Sequence, residues 1–343
     1  MKKNYLDPIA AVEQPRADFI RYLLTAYPLR DPHLRYGFRQ LLEQSGNLWQ
    51  HPYLDGSQPY CSSLSVDKLV TQGVLHPHMA TLVTPSSRSL YEHQEKAIRA
   101  VIEHQQNIIV ATGTGSGKTE CFLIPMLDML LKEGDRLSLA GVRVVILYPM
   151  NALVNDQVKR LRQLLCRQQT AKIKFGFYTS RTHKEKNEAL ESLRAEFEAY
   201  EPDELHQLFS EKEKKSINDE ELIQQAIEKT SQVQLLSREE MWQTPPHILI
   251  TNYSMLEHML IRPIERGKIF ETSIDTFKML VLDEAHTYNG AKGTEVAMLL
   301  ERFKASVGVA QKGKIRCIAT SASLGDASDN PQVLTLRFSI YKR

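Results

Sequence analysis

The sequence has few cysteines and no long apolar run. Its most apolar stretch, CFLIPMLDMLL, is broken by Pro125 and Asp128 and is too short to cross a membrane. The N-terminus also lacks a signal segment, so we expect a cytoplasmic protein with no membrane partner. No Cys-x-x-Cys pair is present, which argues against a zinc ribbon and against a disulfide framework for the four cysteines, Cys61, Cys121, Cys166 and Cys317.

The sequence also lacks an excess of charge of one sign. Its 343 residues include 43 Lys and Arg and 41 Asp and Glu, which gives a formal net charge of +2. This balance excludes a globally basic surface, so any nucleic-acid binding requires a local groove. With 42% hydrophobic and 24% charged residues, the composition is that of a globular protein with one large domain or two ordinary ones.

Apolar, β-branched runs alternate with helical patterns along the chain. Three stretches have helical periodicity, namely TECFLIPMLDMLLKEG, NALVNDQVKRLRQLLCRQ and TEVAMLLERFKASVG. Six runs predict buried strands: NIIVAT, VRVVILYP, KIKFGFYT, HILIT, MLVLDE and IRCIAT. This alternation predicts an α/β domain with a parallel sheet that is flanked by helices on both faces.

Two segments depart from this alternation. Residues 1–88 contain short helical patterns and many turn residues, and they are interpreted as a mainly helical N-terminal accessory region. Residues from about 181 to 246 are rich in Glu, Lys, Gln and Ser. We interpret them as a charged helical insertion, or a mobile flap, that is solvated and lies outside the core.

The stretch ATGTGSGKTE, residues 111–120, lies between a predicted strand and a predicted helix. Glycines allow positive φ, so backbone N–H groups can surround phosphate oxygens, and Lys118 adds a positive charge. Thr119 offers a hydroxyl to Mg²⁺. The strict phosphate-loop pattern has glycine at position 112, where this chain has threonine. The predicted nucleotide-binding residues here are Thr112, Gly113, Thr114, Gly115, Ser116, Gly117, Lys118 and Thr119.

Two adjacent carboxylates end another apolar strand, in MLVLDEAH at residues 279–286. Open α/β sheets bind ligands at the carboxyl ends of their strands. Asp283 is predicted to hold Mg²⁺ together with Thr119, and Glu284 to orient and deprotonate the attacking water. His286 is predicted to report the nucleotide state to neighbouring segments. The predicted catalytic set is therefore Lys118, Asp283, Glu284 and His286.

The motifs ATGTGSGKTE, DEAH and TSAS resemble motifs I, II and III of the superfamily 2 DEAD/DEAH-box helicases. YPMNALVNDQVKRL and ITNYSMLEHML resemble motifs Ia and Ib of the YprA/MrfA-like, RecQ-related subgroup. The resemblance implies a RecA-like P-loop NTPase domain over residues 89–325, interrupted by the insertion at about 181–246. It also implies ATP and Mg²⁺ as cofactors.

The resemblance assigns further roles. Gln94, in LYEHQ, corresponds to the adenine-reading position, and Tyr91 is expected to pack beside it. Nucleic-acid contacts are implied for Pro149, Asn151, Gln157, Thr251 and Asn252. Thr320, Ser321 and Ser323 would couple hydrolysis to that surface. A basic cluster after motif Ia favours an electrostatic floor for nucleic acid: Lys159, Arg160, Arg162, Arg167, Lys172, Lys174, Arg181, Lys184 and Lys186.

The leading hypothesis is the ATP-binding motor domain of a helicase or translocase that acts on nucleic acid, with DNA favoured over RNA. Residues 326–343 form a C-terminal tail that is too short for a second RecA-like domain. We therefore expect weak hydrolysis by this chain alone, with the second domain carried by a separate chain or missing through truncation. The alternative is a nucleotide-gated nucleic-acid-binding or partner-recruiting module without unwinding activity. An enzyme acting on small molecules is disfavoured, because motifs Ia and Ib would then have no purpose.

Overall fold

The computed structural model describes residues 8–49, 59–83, 85–113, 115–168, 173–209, 218–308 and 315–322. The chain divides into two compact units, Met1–Pro59 and Tyr60–Arg343. Val66, Leu69 and Met79 belong to the main core of the second unit. This unit therefore begins before residue 89, where the sequence predicted the start of the ATP-binding domain.

Helices make up much of both units. In the described parts of the chain, no helix is both long enough and apolar enough to span a membrane. The helices are α1 (Pro8–Ala26), α2 (Pro32–Glu43), α3 (Val66–Thr71), α4 (Met79–Leu82), α5 (Glu92–Ile102), α6 (Lys118–Leu131), α7 (Asn151–Leu165), α8 (Lys186–Glu198), α9 (Pro202–His206), α10 (Asp219–Val233), α11 (Arg238–Gln243), α12 (Tyr253–Ile261), α13 (Pro263–Glu265) and α14 (Gly290–Ser306).

The second unit contains a seven-stranded parallel sheet with the order β3-β9-β8-β4-β7-β5-β6, and β1 and β2 form a separate antiparallel pair. All six predicted strands are confirmed, while the two-residue β6 and the short strands β1 and β2 were missed. The strands are β1 (Ser62–Ser65), β2 (Ser89–Tyr91), β3 (Ile108–Ala111), β4 (Val144–Tyr148), β5 (Phe175–Tyr178), β6 (Gln234–Leu235), β7 (Ile248–Asn252), β8 (Met279–Leu282) and β9 (Arg316–Ser321).

The first unit is built on α1 and α2, which confirms the mainly helical character predicted for the N-terminal region. Asp31 caps α2, because its side chain accepts hydrogen bonds from the backbone N–H groups of His33 and Leu34 at 2.8 and 2.9 Å. The guanidinium of Arg16 lies 3.6 Å from the centre of the Trp49 ring. These local contacts set the helix start and hold the segment after α2 against α1.

Two apolar layers cover the two faces of the parallel sheet. Because side chains alternate along a strand, Ile146 and Tyr148 of β4 join one layer and Val145 and Leu147 join the other. Helices α5, α6 and α7 contribute to the first layer, and α12 and α14 contribute to the second. The predicted arrangement, with helices on both faces of a parallel sheet, is confirmed.

The predicted charged insertion contains α8, α9, α10 and α11, so its helical character is confirmed. The prediction that the insertion lies outside the core is wrong for one face of these helices. Leu193, Phe197 and Leu222 are at most 3% exposed and belong to the same core as the sheet. Helices α8 and α10 are amphipathic, and burial of their apolar faces stabilises the segment against the domain.

The basic cluster after motif Ia is partly neutralised within the chain, and the electrostatic floor stays a prediction. Several of its cations bind acids within the chain, through the pairs Lys159–Glu204 at 2.9 Å, Arg162–Glu196 at 2.6 Å and Lys186–Glu240 at 2.9 Å. Each pair neutralises one cation. The first two pairs join α7 to the insertion, and the third joins α8 to α11 within it. Lys172 lies outside the described residues.

Arg143 directly precedes β4 and is buried, with only 1% of its surface exposed. Its Nε donates to Glu133 Oε2 at 3.1 Å, and its terminal nitrogens donate to three backbone carbonyls of residues 136–141 at 2.5 to 2.7 Å. Lys278 Nζ lies 2.5 Å from the other oxygen of Glu133. This buried network fixes the turn that leads from α6 into the central strand of the sheet.

His247 precedes β7 and connects three segments. Its Nδ1 accepts a hydrogen bond from the backbone N–H of Lys174 at 2.9 Å, so its Nε2 carries the proton that is donated to the carbonyl of Leu137 at 2.9 Å. Burial lowers the pKa of His247 to about 4, and the positive charge of Arg143 acts in the same direction. The folded protein therefore holds this imidazole in its neutral form.

The neutral state of His247 is expected to make stability depend on pH. The unfolded chain takes up the proton near pH 6.5, so the contribution is complete above about pH 6.5 and is lost as the pH falls towards 4, by about 3 kcal/mol. Urea unfolding of the wild type and of His247→Gln, at about pH 7.5 and about pH 4.5, measures this loss. The stability advantage of the wild type should shrink at the lower pH, and an advantage independent of pH would contradict the prediction.

Candidate nucleotide site

The carboxyl ends of the parallel strands meet at a cleft of about 800 Å³. The loop after β3 and the start of α6 contribute Gly117, Lys118 and Thr119 to its lining. The turn after β8 contributes Asp283 and Glu284. The structure thus brings together the glycine-rich loop and the acidic pair, which are separated by more than 160 residues in the sequence.

The glycine-rich loop has the backbone of an anion-binding turn. Gly115 and Gly117 have φ angles of 76° and 74°, which L-residues with a Cβ rarely adopt. A Cβ at Gly117 would also overlap the amide of Gln94. Gly117 is the N-cap of α6, so the positive end of this helix and the Lys118 amine act on the same space.

Side chains inside and behind the loop hold its shape. The hydroxyls of Thr112 and Ser116 are 2.6 Å apart, which gives the threonine at the unusual position a structural role. His93 Nε2 lies 2.9 Å from the carbonyl of Ser116, and Lys118 Nζ donates to the carbonyl of Thr112 at 3.2 Å. His93 was missed by the sequence analysis, although it directly precedes Gln94. Thr114 lies outside the described residues.

Asp283 and Glu284 are joined through the hydroxyl of Thr320. This hydroxyl donates to Asp283 Oδ1 and accepts from the backbone N–H of Glu284 at 3.2 Å. Burial raises the pKa of Asp283, whereas the Thr320 hydrogen bond and the Lys118 charge lower it. Ser321 contributes its carbonyl, which accepts from Thr112 N at 3.3 Å. The third predicted coupling residue, Ser323, lies outside the described residues.

Glu284 has an unusual backbone and faces the phosphate loop. Its φ is 48°, which is in the left-handed region that non-glycine residues rarely occupy. Its Oε1 lies 3.8 Å from Lys118 Nζ, and its Oε2 lies 3.3 Å from His286 Nδ1. The backbone N–H of Ala322 donates to the same nitrogen of His286 at 3.5 Å. His286 thus links the acidic pair to the end of β9.

The oxygen groups in the cleft fit a magnesium ion that binds together with a nucleotide. Among the residues that the structure describes, no group of three or more His, Cys, Asp and Glu side chains could hold a metal by itself. Mg²⁺ usually takes one or two protein ligands and fills its remaining positions with water and phosphate oxygens. The Asp283 carboxylate and the Thr119 hydroxyl supply ligands of this kind on the two sides of the cleft.

Gln94 is 5% exposed and uses both ends of its amide within the protein. Its Nε2 donates to the carbonyl of Gly117 at 2.9 Å, and its Oε1 accepts from the backbone N–H of Tyr91 at 2.8 Å. The ring of Tyr91 stacks on His93 with centroids 5.7 Å apart. An adenine contact by Gln94 stays a prediction, and it requires exchange of at least one of these hydrogen bonds.

The predicted nucleic-acid residues fall in different environments. Thr251 is fully buried, and its hydroxyl donates to the carbonyl of Tyr178 at 2.6 Å. Asn252 caps α12 through a 2.8 Å bond from Met255 N. Gln157 lines the nucleotide cleft, and Pro149 is half-buried. The side chain of Asn151 lies outside the described residues, although its backbone begins α7. Nucleic-acid contacts by these residues stay predictions.

Arg160 is a residue of the cleft whose contact the sequence analysis did not anticipate. Its guanidinium binds Glu120, which follows the phosphate loop in the first turn of α6. Gln157 and Arg160 are three residues apart on α7, and both line the cleft. Because residues at this spacing share one helix face, the sequence could have predicted that Arg160 lies beside Gln157, although not that both line this cleft.

A parallel sheet that ends in a glycine-rich loop, with a lysine facing an acidic pair, defines a P-loop nucleotide-binding domain of the RecA-like type. The sequence matches the DEAD/DEAH box helicase family over residues 91–224 and 214–330. The chain belongs to this family, and it contains the family's ATP-binding domain. The resemblance on which the sequence analysis relied is confirmed.

Several known proteins are similar to this chain. Druantia protein DruE of Escherichia coli (strain UMEA 4076-1) is 34% identical, over 90% of this chain and 20% of that protein. The uncharacterized ATP-dependent helicase YprA of Bacillus subtilis (strain 168) is 25% identical, over 63% of this chain and 20% of that protein. The chain therefore spans about a fifth of the length of these relatives.

A solved structure supports the fold assignment. The DUF1998 helicase MrfA, crystallised with DNA and AMPPNP, superposes with a TM-score of 0.53 and 20% sequence identity. The superposition covers 81% of this chain and 29% of the MrfA chain. At this identity the likeness shows the shared fold, which is the parallel sheet flanked by helices that the sequence predicted.

Proposed function

We propose that this chain is the ATP-binding motor domain of a helicase or translocase that couples hydrolysis of Mg-ATP to movement on nucleic acid or to its unwinding. The observation that carries the proposal is the 3.8 Å separation of Lys118 Nζ and Glu284 Oε1 across one cleft, beside the buried Asp283. A cation from the phosphate loop and a carboxylate that can act as a base thereby face the same bound group.

The described residues of the cleft would have separate roles in binding the nucleotide and in its hydrolysis. The N–H groups of the loop at Gly115 and Gly117 and the Lys118 amine would bind the triphosphate at the start of α6. Thr119 and Asp283 would hold Mg²⁺, which supplies positive charge to the phosphate oxygens when it is bound. Glu284, whose backbone N–H is bound to Thr320, would orient the attacking water and accept its proton.

Nucleic acid is the proposed partner, and DNA is favoured over RNA. The MrfA structure contains DNA, whereas the structure of the DEAD-box helicase Mss116 contains single-stranded RNA. The motifs that resemble the YprA/MrfA-like subgroup, together with 25% identity to YprA, support the choice of DNA. The cytoplasm stays the expected location.

Strand displacement separates the proposed motor from the alternative, a nucleotide-gated binding module. A tailed duplex with a labelled strand is incubated with the protein, Mg²⁺ and ATP, and release of the strand is measured. A motor releases the strand with ATP and does not release it with a non-hydrolysable analogue. Nucleotide-dependent binding without release would support the module, and absence of any nucleotide binding would contradict both.

Lys118→Ala is expected to weaken ATP binding about 10- to 100-fold, because hydrogen bonds to charged groups contribute about 1.5 to 3 kcal/mol. Titration with a fluorescent ATP analogue in the presence of Mg²⁺ measures this loss. Lys96→Ala is the control, since Lys96 is an exposed lysine of α5 whose Nζ lies 2.6 Å from Glu92. Equal affinities for Lys118→Ala and the wild type would contradict the assignment of the phosphate loop.

A further inference from the structure

Lys292 lies over two tyrosine rings at the carboxyl edge of the sheet. Its Nζ is 4.7 Å from the centre of the Tyr253 ring and 5.6 Å from the centre of the Tyr288 ring. The two rings meet edge to face, with centroids 6.1 Å apart. Tyr288 is 1% exposed, and its hydroxyl has no hydrogen-bond partner among the described residues. The rings therefore hold the ammonium at a fixed place.

The electrostatic surroundings of Lys292 disfavour a cation. It is the third residue of the 17-residue helix α14, whose first turn contains no acid. The positive end of a helix dipole repels a cation in the first turn. Within the described parts of the chain, Lys292 forms no ion pair. The two tyrosine rings thus hold this charge, and no acid among the described residues neutralises it.

The same location adjoins the segment that resembles motif Ib. Tyr253 is the first residue of α12, and the N-cap of that helix is Asn252. The helices α12 and α14 lie side by side and are joined by Arg302 and Glu257, whose charged atoms are 3.6 Å apart. Both helices begin at this edge, so two positive helix ends and the Lys292 ammonium act together on an incoming anion.

We propose that Lys292, held by the rings of Tyr253 and Tyr288, binds a backbone phosphate of a single-stranded nucleic acid. This inference rests on the proposed function, because it names a contact on the strand that the motor would follow. A phosphate supplies the negative charge that the site lacks, and it requires no particular base. Thr251, which the sequence analysis assigned to a nucleic-acid contact, is buried and directly precedes Asn252, the N-cap of α12.

Binding of a labelled single strand at several salt concentrations tests the assignment. Fluorescence anisotropy is measured with oligothymidylate and, in parallel, with oligouridylate, for the wild type and for Lys292→Ala. The variant should bind about 5-fold more weakly at low salt, and the slope of log affinity against log salt should fall by about 0.7, which is the value for one phosphate of a single strand. Lys292→Arg should retain most of the affinity.

Arg302→Ala is the matched control, because it removes one positive charge from the far end of the same helix and should leave the salt slope unchanged. An equal loss with both oligonucleotides supports a phosphate contact. A loss confined to one of them overturns it in favour of recognition of the sugar or base. If the wild type binds oligonucleotide and Lys292→Ala has the same affinity and slope, the inference fails alone. If the wild type binds neither oligonucleotide, the proposed function fails.

Discussion

Replacement of Glu284 by glutamine is expected to reduce the rate of ATP hydrolysis by about 10²- to 10⁴-fold, which is the usual contribution of a general base. Glutamine retains the shape of the side chain and loses the ability to accept a proton. The Lys118 amine, which lies 3.8 Å from Glu284 Oε1, remains available to the phosphates. ATP affinity should therefore stay within about 3-fold of the wild-type value.

Two assays separate chemistry from binding for Glu284→Gln. Single-turnover phosphate release measures hydrolysis, and titration with a fluorescent nucleotide measures affinity. Glu295→Gln makes the same substitution at an exposed position of α14 and should affect neither quantity. Hydrolysis by Glu284→Gln within 10-fold of the wild-type rate would show that another group accepts the proton, and it would exclude Glu284 as the base.

Arg143→Met is expected to lower the free energy of unfolding by about 3 to 5 kcal/mol, which is the usual cost of removing one partner from a buried ion pair. The substitution removes the bond to Glu133 and the donors to three backbone carbonyls of residues 136–141. Lys278 still neutralises Glu133, so the loss should fall towards the lower end of this range. Urea unfolding at neutral pH measures the change.

Arg136→Met is the matched control, because the same change is made at an exposed arginine of the same turn. Exposed substitutions of this kind usually change stability by less than about 0.5 kcal/mol. Arg143→Lys should give an intermediate result, since lysine keeps the charge and lacks the planar fork that reaches several carbonyls. Equal stabilities for Arg143→Met and Arg136→Met would show that the buried network contributes nothing to folding.

The parallel sheet was predictable because its central strands are continuous apolar runs. In β4 and β8 every residue is buried, so VVILY and MLVL are apolar throughout rather than alternating. The edge strand β6 was not predictable, because Gln234–Leu235 are two residues within a polar segment. A strand of that length has no periodicity, and its pairing with β5 depends on the tertiary fold.

The positions of the candidate-site residues were predictable, but several of their contacts were not. Lys118 and Glu284 were found by motif, because a phosphate loop and an acidic pair require those residues at the ends of strands. The bonds of Gln94 to the backbone of Gly117 and Tyr91 depend on how α5 packs against the loop. This packing cannot be inferred from sequence spacing. A motif therefore identifies the residue, but it does not predict the hydrogen-bond partners of that residue in the folded chain.

The pairing of the basic residues after motif Ia with acids was also not predictable from the sequence. Arg162 and Glu196 are 34 positions apart, and Lys159 and Glu204 are 45 positions apart. A count of nearby charges finds an excess of cations, because the compensating acids belong to the helices of the insertion. Charge balance at a surface is a property of the folded chain, and it depends on segments that are distant in sequence.

The seven-stranded sheet ends in two short strands, four residues in β3 and two residues in β6. A foreign strand that paired with β6 would find only a few backbone groups to bond, so the sheet offers a poor template for chain-to-chain growth. Concentrated solutions of the protein should consequently resist fibre formation, even though the interior strands are composed of strongly β-forming residues.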